Sequence, residues 1–104
     1  MILNFMQLGK NIKTNEDNQK DNWDSIRKKL KEEYKELDEA IGESDLCHIA
    51  EEVQDLIQIC IRVLVLLAKK NMNLIELNRR HNKKLINRGW EAIKAIGVLW
   101  NEDE

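Results

Sequence analysis

Thirteen residues from Leu56 to Ala68 carry eleven apolar side chains, broken only by Gln58 and Arg62. At about 100° per residue, apolar side chains in that density cover nearly the whole circumference of a helix. A helix that is apolar all round must be buried all round. The run is too short to span a bilayer, which takes about 20 apolar residues, so protein has to cover it. A chain of 104 residues has room for few helices, and so few cannot easily wrap one of their own on every side. The simplest remedy is that another subunit covers the far side. The expected fold is therefore all-α, an antiparallel bundle of three to four helices per chain completed by oligomerisation. The absence of proline and the presence of only four glycines disfavour all-β folds rich in tight turns.

Helix punctuation divides the chain as one domain over residues 1–104. Residues 1–22 read as an N-terminal arm or short helix, with a polar loop over 14–22 and Asn22 as an N-cap. Trp23, Ile26, Leu30, Leu37, Ala40 and Ile41 recur at helical spacing, which predicts a first helix over 23–43 ended by Gly42. Ser44 is the expected N-cap of a second helix, within 44–70. A third is expected over 74–88, closed by Gly89, and a short fourth over Trp90 to Leu99.

The charge balance narrows the classes of function. Seventeen basic and nineteen acidic residues leave a net charge of -2, with no basic excess to hold a phosphate backbone, so nucleic acid is not an expected partner. A membrane is not expected either: no segment is long and apolar enough to span, and MILNFMQLGK lacks the pattern of a signal peptide. Cys47 and Cys60 are too few for a disulfide scaffold and lack CxxC spacing. That usage suits a reduced cytoplasmic setting and disfavours zinc.

The chemistry lies in two acidic clusters, Glu32-Glu33-Tyr34-Lys35-Glu36 and Glu51-Glu52-Val53-Gln54-Asp55. The fourteen residues between Glu36 and Glu51 hold the turn, so the two helices should fold back as an antiparallel hairpin. With Ile26 at zero, Glu33 falls at about -20°, in the middle of the apolar face of the first helix, and Glu36 at about -80°, on its edge. With Ile49 at zero, Glu52 falls at about -60°, inside the apolar sector of the second, and Asp55 at about -120°. Glu32 lies further round its helix, and Glu51 points away. Unpaired buried carboxylates cost several kcal/mol each, and four together repel. Raised pKa values, basic partners or a cation would relieve them. Carboxylates at i and i+3 on facing helices make an oxygen-rich pocket suited to a hard divalent ion. The competing reading is a solvated acidic face paired with Lys29, Lys31 and Lys35.

The third helix adds Asn82-Lys83-Lys84-Leu85-Ile86-Asn87-Arg88. Lys84 and Arg88 are four apart and share a face, fit to grip phosphates or to neutralise carboxylates, or simply to keep a surface soluble. Asp45-x-x-His48 has half the pattern of a di-iron site, but no matching acid-x-x-His exists: Asn78 stands three residues before His81. Trp23 is either a core or interface residue or a platform for a base.

Glu32-Glu33-x-x-Glu36, Glu51-Glu52-x-x-Asp55 and Asn82-x-Lys84-x-x-x-Arg88, in that order, resemble the MazG-type all-α nucleoside triphosphate pyrophosphohydrolases over about residues 23–90. The resemblance implies a helical bundle completed as a dimer or tetramer. It also implies magnesium-dependent cleavage of (deoxy)nucleoside triphosphates between the α- and β-phosphates, with manganese as a substitute ion. Carried over by residue, Glu33, Glu36, Glu52 and Asp55 look like the magnesium ligands. Glu32 looks like a helper that orients or deprotonates the attacking water. Lys84 and Arg88 look like phosphate contacts, with Asn82 nearby. The segment before Trp23 has no clear counterpart in the family. The alternative function is a non-catalytic helical oligomer that binds nucleotides or regulates, on the same scaffold.

Overall fold

The computed structural model describes residues 1–101. They form two compact units, Met1–Met72 and a second that begins at Asn73. Among the described residues the regular elements are a 3-10 turn at Asn18–Lys20 and three helices: α1 (Trp23–Glu43), α2 (Leu46–Lys69) and α3 (Leu74–Asn87). The fold class is all-α, with no strand beyond an isolated bridge between Lys10 and Asp17 among these residues.

Each helix starts where a short polar side chain takes up free backbone N–H groups. Asn22 opens α1 with a reciprocal capping box: the Ser25 N–H donates to Asn22 Oδ1 at 2.9 Å, and the Asn22 N–H donates to Ser25 Oγ at 3.1 Å. Asp45 opens α2, accepting from the N–H groups of Cys47 at 3.1 Å and His48 at 3.2 Å. Asn73 opens α3, accepting from the N–H of Glu76.

The turn between α1 and α2 differs from the sequence expectation. Gly42 does not end α1, and Ser44 is not the cap of α2. The helix runs through Gly42 and Glu43 and closes at Ser44, which takes the left-handed conformation (φ 58°) with its N–H donated to the Ile41 carbonyl. Asp45, whose carboxylate accepts two N–H groups at once, takes the capping role. Gly42 thus lies in the last turn of α1, with nothing within 4 Å of where a Cβ would stand. Glycine in a helix costs up to about 0.5–1 kcal/mol relative to alanine. Gly42→Ala should raise the melting temperature by about 4 °C, read by circular dichroism.

The expected helix over Trp90–Leu99 is absent. The chain leaves α3 through Gly89 (φ 93°) and runs on without regular structure. Trp90, Ile93, Ile96, Val98 and Leu99 are all exposed. A segment of about ten residues is a marginal helix in water unless it packs, and this one buries none of its apolar side chains.

In the first unit, α1 and α2 pack as an antiparallel hairpin. Ile26 near the start of α1 meets Ile59 and Leu66 of α2, with Val63 packed against them. Ala40, near the turn, is fully buried. The two polar interruptions of the apolar run now have a use, because the N-terminal segment lies on α2. Gln58 Nε2 donates to the Met6 carbonyl at 3.1 Å, and Lys69 Nζ donates to the Gln19 carbonyl at 3.3 Å. Arg62 forks onto Asp21, with Nε donating to Oδ2 at 2.8 Å and Nη2 to Oδ1 at 2.6 Å. Asp21 also accepts from Ser25 Oγ at 3.1 Å, which ties the start of α1 to the middle of α2. Part of the sector assigned from sequence to another subunit is therefore covered by the chain itself. Another part is not: Leu46, Val53, Cys60 and Leu64, on one side of α2, are exposed. Among the described residues, no helix is long and apolar enough to cross a membrane.

The Asp21–Arg62 fork is the main polar tie of this unit. The Arg62 guanidinium holds the Asp21 carboxyl below its ordinary value of 3.8. Such a group adds stability at every pH above the unfolded value and loses it as pH falls through the folded one. Arg62→Ala should cost about 2 kcal/mol, or about 10 °C of melting temperature, at neutral pH. The loss should shrink below pH ~3.8, where Asp21 of the unfolded chain takes up its proton.

Candidate metal centre

The turn sets the geometry of the site. Glu36 lies eight residues before Ser44 and Glu52 eight after it; Glu33 lies eleven before and Asp55 eleven after. At 1.5 Å per residue, an antiparallel hairpin brings Glu36 level with Glu52 and Glu33 level with Asp55. The two pairs form adjacent layers about 4.5 Å apart along the axes. Four carboxylate oxygens, one from each residue, all lie within 4.8 Å of one another.

Glu36 and Asp55 are exposed, but Glu33 and Glu52 are partly buried, so the four acids are not simply a solvated face. Lys29 pairs with Glu32 at 3.3 Å and Lys35 with Glu39 at 4.0 Å, so two of the three nearby lysines serve other carboxylates. Glu33 Oε2 and Glu52 Oε2 are buried with no hydrogen-bond partner. Burial, followed by the negative charges of Glu36 and Asp55, pushes the Glu33 carboxyl up to about 7. Glu52 is also raised, by burial and then by its contact with Glu36. An all-oxygen donor set whose two inner oxygens lack partners fits a hard divalent cation. The cluster could hold a metal ion.

The other residues named from sequence fall elsewhere. Glu32 stands outside the cluster, exposed and paired with Lys29. In the second unit, Lys84 and Arg88 line one open groove together with Arg80, Lys83 and Asn87. Asn82 does not line it: at 100° per residue it stands about 160° round α3 from Lys84. Trp23 is about half-exposed. Asp45, half of the di-iron pattern, is used up as the cap of α2.

One residue at the site escaped sequence reasoning. His48 lies between two carboxylates, with Nδ1 3.1 Å from Glu43 Oε2 and Nε2 3.3 Å from Glu52 Oε1. Its pKa is raised, first by the hydrogen bond with Glu43 and then by the surrounding acidic charge, against an opposing contribution from desolvation. The four-residue spacing from His48 to Glu52 was the available signal, since i and i+4 share a helix face.

The family model of the MazG nucleotide pyrophosphohydrolase domain matches residues 22–91, which include α1, α2 and α3. No curated protein and no solved structure matches the chain. With the acidic motifs of α1 and α2 meeting in one cluster and the match running across all three helices, the chain belongs to the MazG nucleotide pyrophosphohydrolase family.

Proposed function

We propose that the protein is a magnesium-dependent nucleotide pyrophosphohydrolase. It cleaves (deoxy)nucleoside triphosphates between the α- and β-phosphates to a monophosphate and pyrophosphate. The observation that carries the reading is the pair of buried, partnerless oxygens on Glu33 and Glu52 within a cluster of four carboxylates. Family membership supplies the reaction class.

Glu33, Glu36, Glu52 and Asp55 would hold the ion, manganese serving in place of magnesium. A divalent ion bound there supplies charge neutralisation for the phosphates and a lowered pKa for water. The chain's own part is to keep the four oxygens converged before substrate arrives, so that little reorganisation is left for the reaction itself. Glu32, on the solvent side of α1 beside Glu33, is the proposed helper that orients or deprotonates the attacking water. Its ion pair with Lys29 is exposed and weak, so the carboxylate is free to leave it. Lys84 and Arg88 are the proposed phosphate contacts, Arg88 by its fork and Lys84 as a point charge. Arg80 and Lys83, in the same groove, add to its positive potential. No covalent nucleophile is required.

We further propose a homo-oligomer, dimer or tetramer. The exposed apolar side of α2, with Leu46, Val53 and Leu64, supports it, and sedimentation equilibrium reads the state directly.

The test is a panel of canonical and modified nucleoside triphosphates incubated with the full chain and magnesium. Pyrophosphate release that vanishes in Glu52→Gln supports the enzyme. Triphosphate binding without turnover of any panel member would replace it with the nucleotide-binding module.

A further inference from the structure

We propose that His48 is a positioning residue that turns one carboxylate oxygen of Glu52 toward the cation site by holding the other. The proposal rests on the reading of the four carboxylates as a metal centre and adds a residue outside that set.

Four observations build it. The backbone of His48 is fixed in the first turn of α2, where its N–H donates to Asp45 Oδ1 at 3.2 Å. Its ring is anchored from the end of α1, with Nδ1 3.1 Å from Glu43 Oε2. The far side of the ring, Nε2, meets Glu52 Oε1 at 3.3 Å. The second oxygen of the same carboxylate, Oε2, is buried and has no partner. The last torsion of a glutamate is broad and nearly free, so nothing in the Glu52 side chain itself selects a direction for its two oxygens. A contact on Oε1 does select it, and the oxygen left over is the buried one that lacks a partner. Fixing a ligand from outside the coordinating set characteristically changes metal affinity by about 10- to 100-fold.

A protonated imidazole would also carry charge, and charge alone would alter affinity without any positioning. Three neutral substitutions separate the two effects. Glutamine places its amide nitrogen near the position of imidazole Nε2, toward Glu52. Asparagine places its own near Nδ1, toward Glu43. Alanine places none. All three are uncharged, so any imidazolium charge is removed equally in each.

The experiment is isothermal titration of the full chain with magnesium chloride, no nucleotide present, for wild type, His48→Gln, His48→Asn and His48→Ala. Melting of each protein without metal serves as the folding control. The expected result is that His48→Gln binds magnesium about tenfold more tightly than His48→Asn and His48→Ala, with the melting temperatures of the three variants close together. Equal affinity in the three variants, while the wild type binds, overturns the positioning role and leaves the metal centre standing. A wild type that takes up no magnesium overturns the metal centre and this role with it.

Discussion

Glu33→Gln should abolish turnover and stabilise the metal-free protein in the same stroke. Glutamine keeps the shape of the side chain but removes the charge and one ligand oxygen. Losing a carboxylate that holds the ion should slow pyrophosphate release by about a thousandfold or more, the equivalent of several kcal/mol of transition-state stabilisation. The stability effect has the opposite sign. The Glu33 carboxyl is pushed up to about 7 from an ordinary 4.5, so the folded chain holds this proton more tightly than the unfolded one. Between those values stability falls as pH rises, and above about 7 the full penalty of the ionised group is present. Taken whole, the shift is worth about 3 kcal/mol, and partial exposure to solvent reduces it to about 1–2 kcal/mol. The variant should therefore melt about 5–10 °C higher than wild type at pH 8 without metal, with the gain fading toward pH 4.5. A variant that loses activity and also melts lower at pH 8 would mean that Glu33 is a structural residue.

Magnesium should do to the wild type what the substitution does, and more. An ion that binds only the folded chain stabilises it by about 2.7 kcal/mol at a hundredfold excess over its Kd, or about 10–15 °C for a domain of this size. Carboxylates must be deprotonated to bind it. The shift should accordingly be large at pH 8, where Glu33 is ionised, and much smaller at pH 5.5, where it keeps its proton in the metal-free fold. Calorimetric melts with and without magnesium at the two pH values measure this directly. A rise of the same size at both would place binding elsewhere than at the crowded acids.

The carboxylate cluster was legible in the sequence because it violates a periodicity. Glu33 and Glu52 occupy angular positions that a helix of this pattern reserves for apolar side chains, and the wheel exposes that without coordinates. That the two acidic clusters lie on facing helices followed once the hairpin was assumed. The start of α1 was legible for a local reason too, since Asn22 and Ser25 satisfy each other within one turn.

What the sequence hid were relations between distant segments. Gln58 and Arg62 read as flaws in an apolar run, because their partners Met6 and Asp21 lie 52 and 41 residues away. The N-terminal arm was consequently missing from the cover of α2, and another subunit was asked to supply all of it. His48 was weighed for di-iron chemistry and set aside for want of a matching acid-x-x-His, and its contact with Glu43 crosses a helix boundary that the sequence placed one residue early. Trp90–Leu99 was read as a short fourth helix, and nothing in the segment itself provides a surface for it to pack on. Asn82 entered through a motif spacing, yet α3 carries it away from the groove that Lys84 and Arg88 share.

The equal distances of the two carboxylate pairs from Ser44 have an evolutionary corollary. Surface connections generally absorb insertions and deletions at little cost, but this one works as a ruler. One added residue between Ser44 and Asp45 would leave both helices intact and rotate or slide one set of acids out of step with the other. The length of the connection should then drift far less among descendants of this chain than the identity of the residues that compose it.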